Sequence, residues 1–113
     1  MDKENETVLL DIIQHLSPIS EVEMSLAIQY WRTKEIKKGD FFNRQTLVCK
    51  DLGIVIKGIF RVYYIDPHTQ EEKNVFFFSE KQFIVSFRSF IYQYPCNYFI
   101  EALEDAENLH SIF

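Results

Sequence analysis

The sequence predicts a mainly β domain, a sandwich or barrel of short strands behind a helical lead-in. Three observations predict it. First, residues 53–79 read GIVIKGIFRVYYIDPHTQEEKNVFFFS, with Ile54, Ile56, Phe60, Val62 and Tyr64 apolar at alternate positions. Period-two alternation in β-branched and aromatic residues is the pattern of a strand with one buried face. Second, from Trp31 onward short runs are cut by turn signals at close intervals: Lys38-Gly39-Asp40, Lys50-Asp51-Leu52-Gly53 and Asp66-Pro67-His68-Thr69-Gln70. That spacing belongs to sandwiches and barrels. Third, residues 7–16 have helical spacing instead, with Val8, Leu9, Ile12, Ile13 and Leu16 on one face.

Taken in order, Thr7 caps the first helix and Ser17-Pro18 stops it. Ser20 opens a second helix. Glu23 stands three residues on, as in a capping box, and Ile19 is spaced to staple against Met24. Val22, Leu26 and Tyr30 continue one stripe. The two helices read as packing on the rest of the domain. Strand runs follow at 31–38, Phe41-Phe42 and Leu47-Val48-Cys49. The 53–79 stretch then forms a hairpin, because Pro67 presets a turn and has no N–H for a ladder. Gly58 marks a bulge or bend that lets one long strand curve round a barrel. Val85 or Ser86 starts a short helix with Phe87, Phe90 and Ile91 inward, and Pro95 ends it. Residues 98–113 carry two patterns. IEALEDAENL is rich in helix formers, while Tyr98, Ile100 and Ala102 alternate with Phe99, Glu101 and Leu103. The chain ends in an apolar run, His110-Ser111-Ile112-Phe113, as a segment of a longer protein would.

The totals exclude several classes. A length of 113 residues, 47% hydrophobic, suits one domain (1–113) with a real core, a helical lead-in at 1–30 and β structure at 31–113. No run is long enough to span a membrane, and MDKENETVLL lacks the basic start and apolar middle of a signal peptide. A cytoplasmic, soluble protein is expected. Asn5-Glu6-Thr7 is then a chance sequon. Cys49 and Cys96 read as reduced, small hydrophobes. The net charge of −5 is uneven. Residues 1–31 hold one base and six acids, 32–61 eight bases and three acids, and 62–113 three bases and eight acids. The basic middle is interleaved with core positions and reads as solvated strand faces rather than a nucleic-acid footprint. No H-x-H, H-E-x-x-H, C-x-x-C, G-x-S-x-G or phosphate loop is present, so an enzyme, including a cupin-like metal enzyme, is not expected.

The ordered series of two helices, KKGDFF, GIVIKGIFRVYYID, KNVFFFSEKQFI and YPCNYFIEALEDAE resembles the N-terminal sensor domain of the Crp/Fnr family of bacterial transcription regulators, most of all its Bacteroidetes-type members. Lys57-Gly58 with Arg61-Val62-Tyr63-Tyr64, and Ile100-Glu101-Ala102-Leu103-Glu104-Asp105, carry it best. The resemblance covers nearly the whole chain. It implies a cyclic-nucleotide-binding-like β-roll, a double-stranded antiparallel jelly roll with flanking N-terminal helices and a short helix near 86–92. It also selects strand–turn–strand for the segment from Tyr98.

The resemblance further implies a ligand site, a phosphate-binding cassette. A Gly-Glu pair opens a short helix, and an Arg followed by a small hydroxyl residue comes later. Amides and the Arg hold a cyclic phosphate, and the Glu accepts from the ribose hydroxyl. Here Val85 and Ser86 stand at the Gly-Glu positions, and Cys96 and Asn97 at the Arg and hydroxyl positions. All four depart from the pattern. Arg88, nearby in sequence, reads as a surface or core-edge charge, with a phosphate partner on the short helix as the alternative. Classical cyclic AMP is therefore not the expected ligand, and no cofactor is expected. Two cysteines are too few for an iron–sulfur cluster. His15, His68 and His110 are scattered candidates for a haem ligand and read as ordinary histidines. Phe76, Phe77, Phe78, Phe83, Phe87, Phe90 and Tyr92 read as barrel core, with an apolar pocket as the alternative. The implied partners are a small effector or another protein, with DNA bound only through a C-terminal dimer helix and winged helix-turn-helix absent from these residues. The full-length protein is expected to be a homodimer. A β-roll used as a protein-interaction scaffold is the alternative.

Overall fold

The computed structural model describes residues 3–16 and 20–111, with Leu16, Met24, Ala27 and Phe87 described by backbone alone. The chain runs α1 (Lys3–Leu16), α2 (Glu21–Ile28), β1 (Trp31–Ile36), β2 (Phe41–Asn43), β3 (Gly53–Lys57), β4 (Phe60–Ile65), β5 (Glu72–Phe78), β6 (Phe83–Ile84), α3 (Phe87–Tyr92), β7 (Phe99–Ala102) and β8 (Ala106–Ser111). The strands form two antiparallel sheets of four, ordered β1-β8-β3-β6 and β2-β7-β4-β5. This is the expected mainly β jelly roll with N-terminal helices.

α1 begins four residues before the expected cap. Thr7 lies inside the helix, and its Oγ1 donates to the Lys3 carbonyl at 2.9 Å, so it caps nothing. Glu4 and Glu6 in the first turn complement the helix dipole in its place. Leu9, Ile12 and Ile13 seat on Trp31, Ile54 and Leu109 to form an apolar layer outside the first sheet. Ser20 caps α2 as expected: its Oγ accepts from the Glu23 N–H and donates to Glu23 Oε1, both at 3.2 Å. The expected stripe is not a buried face, however. Val22, Leu26 and Tyr30 are exposed, and α2 meets the domain through Ile28. The Ser17-Pro18 stop and the staple from Ile19 to Met24 lie outside the described residues.

Gly58 changes the picture of one long curved strand. Its φ is +104°, and the chain breaks there, leaving β3 in one sheet and β4 in the other. A Cβ on Gly58 would stand 2.7 Å from the Ala106 Cβ, so the corner needs glycine both for its backbone angle and for this close approach. β3 is also covered on both faces, by α1 outside and the opposite sheet inside. Ile54 and Val55 are consequently both fully buried, where alternation predicts one buried face. The hairpin forms as expected between β4 and β5. Asp66 Oδ1 accepts from the N–H groups of His68 (2.8 Å) and Thr69 (3.3 Å), closing the turn.

The 98–113 ambiguity resolves as two strands. Ile100, Ala102 and Ala106 join Ile36, Val55, Phe60, Val62 and Ile84 between the sheets. Asp105, in the turn between β7 and β8, accepts from the Lys38 N–H at 3.0 Å and ties that turn to the Gly39 turn. The Ile91 expectation is corrected: it is 56% exposed, on a helix of only six residues that cannot bury all of its apolar positions.

Candidate functional site

The sequence Val85-Ser86-Phe87-Arg88-Ser89 turns from β6 into α3. Ser86 keeps an extended backbone (φ −92°, ψ 94°) and is a residue type suited to capping. Its hydroxyl does not cap α3. It lies 3.0 Å from Cys96 Sγ instead. The helix closes at Gln93, in the left-handed region, whose Nε2 donates to the Phe90 carbonyl at 2.6 Å.

Ser89, one turn further along α3, is the structural tie of the site. It is buried, accepts from the Cys49 N–H at 2.8 Å, and donates to the Tyr94 carbonyl. The loop holding Cys49 therefore grips α3 from one side. Val48 bridges Pro95, and the Cys96 N–H donates to the Leu47 carbonyl at 2.8 Å. Cys96 is buried, donates from Sγ to the Tyr98 carbonyl (3.2 Å), and accepts from the Tyr98 N–H (3.4 Å). Both cysteines are free and buried, as expected. Burial pushes the Cys49 thiol above its ordinary range, against backbone hydrogen bonds at Ser86 and Asp51 that pull it down.

These elements enclose a cavity of about 560 Å³ between α3 and the β4–β5–β7 sheet. Val85, Ser86, Arg88, Cys96 and Asn97, the five residues singled out in the sequence, all line it. Val85 is buried and forms wall; Arg88 and Asn97 are exposed at the rim. Arg88 makes no hydrogen bond or ion pair with the described residues. Of the aromatic candidates, Phe76, Phe78 and Phe83 line the cavity. Phe77 pairs with Arg61 on the opposite face of β5, and Tyr92 is exposed. The Phe87 side chain lies outside the described residues. Sequence reasoning missed Ser89, Tyr94 and Tyr98. The one local signal for Ser89 was its position three residues after Ser86, on the same side of a helix.

The histidines do not converge. His15 ends α1, with Nδ1 2.6 Å from the Asp11 carbonyl oxygen. His68 sits in the exposed β4–β5 turn. His110 is buried between the sheets on β8, against the Phe42 ring, and its Nε2 has no partner among the described residues. Burial lowers its pKa, with Lys34 adding to the drop and Asp51, at 3.7 Å, opposing it. Among the described residues no group of three His, Cys, Asp or Glu side chains is placed to hold a metal ion. None of the helices described is long and apolar enough to cross a membrane.

No protein-family model and no curated protein matches the chain. Solved structures do. The chain is similar to cAMP-bound PfPKA-R (141–441) with a TM-score of 0.83 at 10% identity, covering 98% of this chain and 40% of that one. The fold is that of the cyclic-nucleotide-binding domains. A cyclic nucleotide-binding domain from Methylobacillus flagellatus gives 0.81 at 13% identity, covering 96% and 62%. The sensor domain of the transcriptional regulator DNR from Pseudomonas aeruginosa gives 0.76 at 17%, covering 96% and 73%. The chain thus spans about two-fifths of the first of these structures. At these identities the likeness establishes the cyclic-nucleotide-binding-like β-roll and leaves the ligand to be argued from this chain's own residues.

Proposed function

We propose that this chain is the effector-sensing domain of a Crp/Fnr-type transcription regulator whose effector is not classical cyclic AMP. The observation that carries the proposal is the convergence of Val85, Ser86, Arg88, Cys96 and Asn97 on one cavity beside α3. The residues at the cassette positions supply no carboxylate to accept a ribose hydroxyl and no cation at Cys96 to hold a cyclic phosphate. The site itself is formed: an apolar cavity with a few polar groups at one side, the usual shape of a small-molecule site.

Sensing works through α3. The helix is held by Ser89 to the Cys49 N–H and the Tyr94 carbonyl, and by the contact between Ser86 and Cys96. A molecule that fills the cavity presses on this helix and favours one of its positions, so binding shifts a population rather than driving chemistry. DNA contact, dimerisation and target choice belong to segments beyond the β-roll. The domain has no catalytic role in this reading, and no cofactor is required.

Thermal melting tests the proposal. A ligand at about 100 times its Kd adds roughly 2.7 kcal/mol, which raises the Tm of a domain this size by on the order of 10 °C. A collection of small organic molecules should contain compounds that raise the Tm, while cyclic AMP and cyclic GMP at millimolar concentration leave it unchanged. A clear rise with cyclic AMP contradicts the proposal. A second reading, a protein-interaction scaffold, is favoured by the exposed apolar residues Val22 and Leu26 on α2 and Val75 and Phe77 on β5. It is the reading that survives if no small molecule raises the Tm.

A further inference from the structure

The wall of the α3 cavity is apolar over most of its extent, with Val62, Phe76, Phe78, Phe83, Val85 and Ile100. Its polar side chains, Ser86, Arg88, Ser89, Cys96 and Asn97 with Tyr94 and Tyr98, lie along one side. The Cys96 thiol and the Ser86 hydroxyl face each other, and the Ser89 hydroxyl is occupied by Cys49 and Tyr94. Among the described lining residues no Asp or Glu occurs, and one side chain carries a full positive charge: Arg88, which has no hydrogen-bond or ion-pair partner among the described residues. Resting on the reading of this cavity as the effector site, we infer that the effector is an apolar monoanion, a carboxylate on a flat, sugar-free body.

Each part of that description answers one feature of the wall. An apolar wall favours an apolar body, because every hydroxyl of a sugar placed against Phe, Val or Ile loses its water without gaining a partner. The aromatic rings of Phe76, Phe78, Phe83, Tyr94 and Tyr98 around the cavity suit a planar group, which meets rings by offset stacking or edge-on contact. A lone guanidinium presents a planar fork that matches a carboxylate with two parallel hydrogen bonds. One cation at the rim balances one negative charge, so a carboxylate at the mouth and a hydrocarbon body inside satisfy both parts of the site. A cationic ligand would meet Arg88 with no acid to receive it.

Titration calorimetry on the 113-residue chain with phenylacetate, phenylacetamide, phenethylamine and cyclic AMP tests this. Phenylacetate should bind at least tenfold more tightly than its neutral amide, with the amine weaker still and cyclic AMP giving no heat at millimolar concentration. Arg88→Gln should bring phenylacetate down to the affinity of the amide and leave the amide unchanged. The acid–amide comparison in the unaltered chain stands even if that variant folds poorly. Equal affinity for acid and amide, or no effect of R88Q, overturns the anion inference and leaves the cavity as a site for neutral molecules. Binding of cyclic AMP overturns the sugar-free body. No heat from any of the four probes overturns this inference, while the small-effector reading on which it rests falls only if the melting screen also finds no ligand.

Discussion

Ser86 Oγ lies 3.0 Å from Cys96 Sγ, and Ser89, one turn along the same helix, accepts from the Cys49 N–H at 2.8 Å. The two serines hold α3 from the same side but with different strength. A thiol is a weak hydrogen-bonding partner, so Ser86→Ala should cost less than about 1 kcal/mol. Ser89→Ala leaves a buried backbone N–H without its acceptor and should cost about 1–3 kcal/mol. Urea denaturation of the two variants checks the order. Equal losses would mean that the Ser89 bridge does not hold the helix.

Gly58→Ala should be the more damaging of two glycine replacements. At Gly58 the φ of +104° is joined by a 2.7 Å approach to the Ala106 Cβ. At Gly39 the φ is +87°, with no atom within 4 Å of an added Cβ. Backbone strain alone costs roughly 1–3 kcal/mol, and overpacking adds a similar amount. Gly58→Ala should therefore lose about 2–6 kcal/mol and Gly39→Ala about 1–3 kcal/mol in the same denaturation assay. A smaller loss at Gly58 would contradict the corner described here.

Arg61→Lys tests the outer face of the second sheet. The guanidinium reaches Glu101 at 2.7 Å and Glu72 at 3.2 Å while its carbon sits 3.9 Å from the Tyr63 ring centroid. A lysine ammonium keeps the charge but loses the fork and the stacking. The expected loss is about 1–2 kcal/mol, measured by thermal melting. A variant as stable as the parent would show that charge alone holds these strands.

Stability should fall on acidification below the ordinary histidine range, with His110 as a contributor. Its folded pKa is lowered, chiefly by burial. Below the unfolded value the unfolded chain takes up a proton that the folded chain refuses, so the unfolded state gains as pH drops. Above that value the contribution is fully present. Denaturation midpoints across pH 5–8 should show a shallower decline for His110→Leu than for the parent. A parallel decline would remove His110 from the account.

The fold was largely legible because most of its signals are local. Turn residues, Ser20 with Glu23, and the alternation through Val62 each act within a few positions. The exceptions have non-local causes. Ile100 to Ala106 carries helix formers, and it is strand, turn and strand because Ile100 and Ala102 complete the inter-sheet core while Ala106 closes on Gly58. Ile54 is buried because α1 covers the outside of a sheet whose inner face already buries Val55. No local pattern reports such a second layer. The site residues Val85, Ser86, Arg88, Cys96 and Asn97 are spread over thirteen positions. They could be named in advance only through the resemblance of the whole ordered series, since none carries a motif of its own. Ser89 escaped because its role is a bridge to Cys49, forty residues away.

The central claim is that the cavity beside α3 is where a small effector binds. Amide-resolved NMR of the 113-residue chain titrated with phenylacetate tests it most directly. Saturable shifts are expected, concentrated at Val85, Ser86, Arg88, Ser89, Cys96 and Asn97, with α1 and β1 unmoved. Shifts concentrated instead at Asp11, Ile12, His15, Phe77 and Lys81, in the adjoining groove that shares Phe76, Phe78 and Phe83 with the cavity, or an unchanged spectrum, would contradict it.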